Sequence, residues 1–173
     1  MIRPADPADA AAIAAIYAHH VFHGTASFDT FPPDVDDWRA KLAGIIAHRW
    51  PFLVVEQDGL VAGYAYATQF RDRPAYVETC ENSIYIAPDH IGRGLGSKLL
   101  AALIAAATDA GFRQMIAVVG GGEPASVALH EKHGFTLAGR MRDVGRKFGR
   151  LLDTVYLQRA LEVECIAHAP LKK

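Results

Sequence analysis

Ile84-Tyr85-Ile86-Ala87-Pro88, followed by Gly92-Arg93-Gly94-Leu95-Gly96-Ser97 and an alanine- and leucine-rich run to Ala110, is the stretch that decides the fold. An apolar run stopped by proline reads as a strand, predicted over Glu78 to Ile86. Glycines at alternate positions read as a loop opening a helix, predicted from about Gly96 to Ala110 with Gly111 as its C′ residue. At such a start the free backbone N–H groups and the positive dipole end favour an anion, and glycine lets the backbone come close. Phosphate or pyrophosphate is the natural guest, with Arg93 adding one charge-assisted contact; the same glycines also suit a plain tight turn. Two other phosphate loops are excluded. The spacing is G-x-G-x-G rather than G-x-G-x-x-G, and Gly96-Ser97-Lys98 reverses the Gly-Lys-Ser order of a P-loop.

On either side of this unit the signals alternate between helix and strand. Asp6-Pro7-Ala8-Asp9 offers an N-cap, a proline and an acid for a helix to about Val21. Asp34 to Asp37 repeats that start for a second helix, with Trp38, Leu42, Ile45 and Ile46 at helical spacing and Trp50-Pro51 as its stop. Phe52 to Glu56 and Leu60 to Thr68 flank Gln57-Asp58-Gly59 as a hairpin. Arg113 to Val119 is a further strand, Ala125 to His133 a short helix, and Phe135 to Val144 with Leu151 to Leu161 a closing strand pair around Lys147-Phe148-Gly149. The order is α/β with a mostly antiparallel sheet.

The chain has 173 residues, 51% hydrophobic and 21% charged, with a formal net charge of −1. One domain is expected, residues 1–162, with a C-terminal tail at 163–173. The charge balance offers no bulk attraction to nucleic acid or anionic membrane, and no apolar stretch approaches the roughly 20 residues of a membrane span. Cys80 and Cys165 form no Cys-x-x-Cys pair and no signal-type apolar core leads the chain, so a cytoplasmic address is expected. His130-Glu131-Lys132-His133 is one residue short of H-E-x-x-H, and His19 with His23 lacks a third ligand, so no metal is expected. Cys80 reads as a half-buried strand cysteine with no motif for an acyl-cysteine.

The stretch Ile84 to Pro88 with His90-Ile91-Gly92-Arg93-Gly94-Leu95-Gly96 resembles the acetyl-CoA pyrophosphate loop of the GNAT N-acetyltransferase superfamily. Its usual first Arg or Gln is here His90 or Ile91, depending on register. The resemblance extends through Ala125 to Phe135. Thr25 to Phe28, Gly63-Tyr64-Ala65, Phe70 to Tyr76, Glu81 to Tyr85, Leu129-His130-Glu131 and Val144 to Asp153 are similar to the phosphinothricin and methionine sulfoximine acetyltransferases. This resemblance implies the GNAT fold, a twisted sheet flanked by helices whose strands splay at the acetyl-CoA site. It also implies acetyl-CoA as co-substrate, acetylation of the α-amino group of small amino-acid-like substrates, and a homodimer.

Acetyl transfer to an amine needs a neutral amine, a polarised thioester, stabilisation of the oxyanion and a proton for the departing thiolate. Glu81, at the position of the branch's catalytic glutamate, is the expected base; Glu78, three residues earlier, would face the other side of a regular strand. A free glutamate has a pKa of about 4.3, far below an amine, so a water-relayed transfer is expected unless burial raises it. By the same resemblance His130 stands where the superfamily carries a tyrosine acid, a backbone N–H in the Tyr85–Ile86 region polarises the thioester carbonyl, and Ile84, Tyr85 and Ile86 are cofactor-binding. The loop from Gly92 to Ser97 holds the pyrophosphate. Glu123 occupies a cofactor-binding position where asparagine is usual, and a carboxylate cannot donate there. Arg71 and Arg73 can grip an anionic group through paired hydrogen bonds, which favours zwitterionic substrates over polycations. Thr25, Phe28 and Tyr76, with Asp72, Asn82 and Ser83 of the matching stretches, complete the expected acceptor pocket. Lys147, Phe148 and Asp153 are expected to be structural or dimer-related. A non-catalytic acyl-CoA sensor and a peptide or protein N-terminal acetyltransferase are the alternatives.

Overall fold

The computed structural model describes residues 1–161; the expected tail and Cys165 lie outside the described residues. The elements in chain order are β1 (Ile2–Pro4), α1 (Ala10–His23), α2 (Val35–Ala47), β2 (Phe52–Gln57), β3 (Leu60–Gln69), β4 (Thr79–Ile86), α3 (Leu95–Asp109), β5 (Gln114–Gly120), α4 (Pro124–Lys132), β6 (Thr136–Lys147) and β7 (Arg150–Ala160). The local signals act as expected, with small shifts at the ends. Asp34 accepts hydrogen bonds from the N–H groups of Asp36 and Asp37 to open α2, and Asp37 answers with a bond from the Asp34 N–H. Asp6 caps a single 3-10 turn at Pro7–Asp9, and α1 begins only afterwards. Gly111, at φ +93, closes α3: its N–H donates to the Thr108 carbonyl and that of Phe112 to Ala107, the paired bonds of a left-handed helix stop.

The seven strands lie in the order β1-β2-β3-β4-β5-β7-β6. Every neighbouring pair is antiparallel except β4 and β5. One face is covered by α3, whose Leu95, Leu99, Leu100, Leu103, Ile104 and Ala107 recur at helical spacing and pack on Ala65, Cys80, Met115 and Leu157. Leu99, Leu100 and Leu103 are fully buried, each contributing roughly 1.5–3 kcal/mol of hydrophobic stabilisation. The other face is covered by α1 and α2, with Ile13, Trp38 and Leu42 against Tyr64 and Tyr66.

The parallel pair positions the site. β4 and β5 are in register from Thr79 opposite Gln114 to Asn82 opposite Ala117, and there their pairing ends. β4 continues beside β3 to Ile86, and β5 beside β7 to Gly120. The strands therefore diverge, as the resemblance implied.

Candidate active site

A cavity of about 310 Å³ occupies the gap between the diverging strands. Alternation along β4 gives it two walls. Tyr85 joins the α1–α2 side of the sheet, and Ile84 joins the α3 side. Glu81 and Ser83 share the parity of Tyr85, and Asn82 that of Ile84. All five line the cavity, as do Phe28 and His130. The gap thus receives a carboxylate from one face of the sheet and an imidazole from the other. Among the described residues, the edge of β4 over residues 83–86 has no strand partner on the β5 side, which leaves backbone N–H groups facing the gap.

Burial pushes the Glu81 carboxyl above its ordinary value; the charges of Arg71 and Lys41 pull it partly back. Arg71 Nη1 stands 3.8 Å from Glu81 Oε2, and its guanidinium lies over the Phe70 ring. A raised value is what a base for an ammonium group needs. Glu78 lies one residue before β4, exposed, where Arg113 pairs with it at 3.3 Å.

His130 is buried on α4, its ring edge-on to Phe135. Nδ1 faces the Ser126 carbonyl at 2.7 Å, and Nε2 faces Asn82 Oδ1 at 3.0 Å. Asn82 is oriented by its own Nδ2, which donates to the Ile116 carbonyl at 3.2 Å. Both ring nitrogens therefore meet oxygen acceptors, and a neutral imidazole has only one N–H to offer. The hydrogen bonds favour the doubly protonated ring. Burial opposes it more strongly and holds His130 below its ordinary value. The amide of Asn82, expected to meet the acceptor, is thus engaged by His130 and Ile116.

At the α3 end, Gly92 and Gly94 adopt φ +79 and +75, and a Cβ on either would enter open space. Gly94 caps α3 without a side-chain hydrogen bond, and among the described residues the N–H groups of Gly92 through Ser97 have no hydrogen-bond acceptor outside the helix. His90 Nδ1, just before them, is buried without a partner. An uncapped cradle of donors fits the pyrophosphate of coenzyme A. Ser97 Oγ meets His133 Nε2 at 2.8 Å, tying the cradle to the end of α4. Glu123 stands at the N-cap of α4, with no side-chain cap and outside the cavity lining.

The remaining expected residues are dispersed. Asp72, Arg73 and Tyr76 sit on the exposed turn before β4, with Gln69 Nε2 bracing that turn through the Arg71 and Arg73 carbonyls. Tyr76 packs edge-on against Phe70. Thr25 lies behind the cavity wall against Gly120 and Gly121. Cys80 is fully buried, further than expected, and burial pushes its thiol up to about 12, which removes it as a nucleophile. Sequence reasoning missed Tyr17, Ser27 and Asp29. The Tyr17 hydroxyl donates to Asp29 Oδ2 at 2.6 Å and meets Ser27 Oγ at 2.7 Å, and all three line the cavity. Ser27 lay inside the matching stretch Thr25 to Phe28, and Tyr17 offered only a hydroxyl on a mostly apolar helix face.

Among the described residues no group of His, Cys, Asp and Glu is arranged to hold a metal ion, and no helix is long and apolar enough to cross a membrane. A mixed sheet split between its parallel strands, with an open glycine-lined helix start in the connection that follows β4, is the architecture of an acetyltransferase. The family model of the GNAT acetyltransferase domain matches residues 2–156, and the chain belongs to that family. It is 52% identical over 147 residues to a phosphinothricin N-acetyltransferase of Alcaligenes faecalis, covering 84% of this chain and 75% of that one. It is 40% identical to the L-methionine sulfoximine/L-methionine sulfone acetyltransferase of Salmonella typhimurium, covering 93% and 94%. The crystal structure of a phosphinothricin acetyltransferase from Sinorhizobium meliloti in complex with AcCoA superposes with a TM-score of 0.91 at 42% identity, covering 93% of this chain and 88% of that one.

Proposed function

We propose that this protein acetylates the α-amino group of a small amino-acid-like acceptor, of the phosphinothricin or methionine sulfoximine and sulfone kind, with acetyl-CoA as co-substrate. The observation that carries this is the gap between β4 and β5 that receives Glu81 from one face and the His130–Asn82 pair from the other. Acetyl-CoA supplies an acetyl thioester. The donors of Gly92 to Ser97, with Arg93, hold its diphosphate, and Ile84, Tyr85 and Ile86 border the thioester. Glu81 accepts the ammonium proton, directly or through one water, and its half-buried position supports that role. In its doubly protonated form His130 gives the Nε2 proton to the sulfur as the C–S bond breaks and is left neutral, with Nδ1–H still on the Ser126 carbonyl. Arg71, beside Glu81, attracts the acceptor's acidic group, with Arg73, Asp72 and Tyr76 further out on the same turn. A volume of about 310 Å³ suits a small acceptor and not a folded polypeptide.

A homodimer belongs to the same proposal. Leu137, Met141, Val144, Phe148 and Leu151 expose large apolar side chains along the β6–β7 hairpin, a surface that a second copy would cover. A cytoplasmic location belongs to the same proposal, Cys80 being a buried thiol with no disulfide among the described residues.

The test joins calorimetry with acetyl-CoA to a thiol-release screen over amino acids, sulfones, sulfoximines and phosphinothricin. Release with at least one acceptor is expected. Binding without release across the panel would replace the enzyme with a sensor. Glu81→Gln is expected to lower kcat by roughly 10²–10⁴-fold while leaving acetyl-CoA binding intact. Rates near wild type across roughly pH 6 to 9 would remove Glu81 from the chemistry.

A further inference from the structure

In the segment Val144 to Asp153, Lys147, Phe148 and Asp153 were expected to be structural or dimer-related, with no part in the chemistry. The segment reaches the cavity from behind. Lys147 is 5% exposed, and its Nζ donates to the Ser27 carbonyl at 2.7 Å, across 120 residues of chain. Among the described residues it has no carboxylate within ion-pair distance, so the buried ammonium gives its hydrogen bond to a backbone oxygen of the loop between α1 and α2, with the Phe148 ring centroid 5.2 Å away. Two residues earlier, a Cβ on Gly145 would lie 2.3 Å from Phe28 Cε2 and 2.7 Å from Cδ2. The Phe28 ring therefore rests directly on the Gly145 backbone. On the other side, a Cβ on Gly120 would come within 2.9 Å of the Thr25 and Ala26 carbonyl oxygens and 3.0 Å of Phe28 Cε1.

The approach of Gly145 depends on a bulge in β6. Met141 pairs with Thr154 and Gly145 with Leu152, so the strand carries extra residues there, including Asp143 at φ +56. Asp153 pins the bulge by accepting from the Asp143 N–H at 3.0 Å and from Arg140 Nε at 2.6 Å.

We propose that Gly145 and Lys147 are specificity-determining positioning residues, which seat Phe28 as a wall of the cavity and so limit the acceptor's side chain. Neither residue touches the reacting atoms; both act through the loop. This rests on the acyl-transfer function proposed above and names what that site selects: acceptors with short side chains.

The experiment is a double-mutant cycle on the full chain. Gly145→Ala must move the ring by about 1.1 Å, from 2.3 Å to the 3.4 Å where ordinary contact begins. Acceptor KM is measured for methionine sulfone and for L-amino acids of increasing length, and acetyl-CoA Kd by calorimetry. Gly145→Ala is expected to raise KM for methionine sulfone by at least about tenfold with acetyl-CoA Kd unchanged. Phe28→Ala is expected to extend activity to longer acceptors, and adding Gly145→Ala to it should change little further. Equal effects of Gly145→Ala with and without Phe28, or an equal loss of acetyl-CoA affinity, would overturn the proposal. Lys147→Met, which keeps the stem and removes the donor, repeats the comparison if Gly145→Ala fails to fold; an unchanged KM ratio between short and long acceptors there would also overturn it. Wild-type thiol release in the same assay reports separately on the acyl-transfer function.

Discussion

Replacing Asn82 by Asp would set a carboxylate where an amide oxygen now faces His130 Nε2 at 3.0 Å. Charge centres about 4 Å apart attract by about 4 kcal/mol at an effective dielectric near 20, equivalent to about 3 pH units. Asn82 and His130 are 6% and 2% exposed, so solvent screens the pair weakly. Two costs act the other way. The new carboxylate is itself desolvated, and it opposes the Ile116 carbonyl that Asn82 Nδ2 now satisfies. A net rise of about 1–2 units in the His130 value is expected. The ring starts below its ordinary value because burial disfavours the imidazolium. A raised value keeps it protonated to higher pH, so the fall of kcat/KM that follows its deprotonation must move upward by the same interval. The assay is kcat/KM against pH at saturating acetyl-CoA, with His130→Gln as the control that abolishes this limb. A limb that stays in place or moves downward in Asn82→Asp, with acetyl-CoA affinity intact, would refute the coupling of His130 to Asn82.

Two further outcomes test the frame that holds the site. Arg3 grips both oxygens of buried Asp9 at 2.8 Å, and these hydrogen bonds hold the carboxyl below the usual range. Its stabilisation is present above the unfolded value and lost as pH falls through the folded one. Asp9→Asn should therefore cost about 1–3 kcal/mol at neutral pH and flatten the acid dependence of the urea midpoint below roughly pH 4; an unchanged neutral midpoint would contradict this. Gly111→Ala meets open space but a φ of +93, so backbone strain alone should cost about 1–2 kcal/mol and lower Tm by about 2–8 °C. No shift in thermal melting would remove the left-handed stop from the account of α3.

How much was legible depends on how far each contact reaches along the chain. The α2 cap lies within Asp34 to Asp37, and the β2–β3 turn at Asp58-Gly59 and the β6–β7 turn at Phe148-Gly149 place both residues at positive φ. Such features are set by steric limits and hydrogen bonds between near neighbours, so composition and spacing suffice to read them. The glycine cradle was legible for the same reason, because a helix start carries its free donors wherever it is placed. Glu81 and His130 stood out through similarity to a known branch, since an isolated Glu or His carries no signal of its own.

What the chain alone could not show was which groups would meet. Divergence of β4 from β5 follows from where each strand's other neighbour leads it, and that is a property of the whole sheet. The same is true of Asn82 turning to His130 across 48 residues, and of Lys147 reaching Ser27 across 120. Burial likewise moved Glu81 upward and His130 downward, in the directions set by their charges, and desolvation exists only once other segments have closed over a group. Local order was written in short spacings along the chain; the pairing of acid, base and cavity wall awaited tertiary closure, because each contact joins residues that only the packed sheet brings within reach.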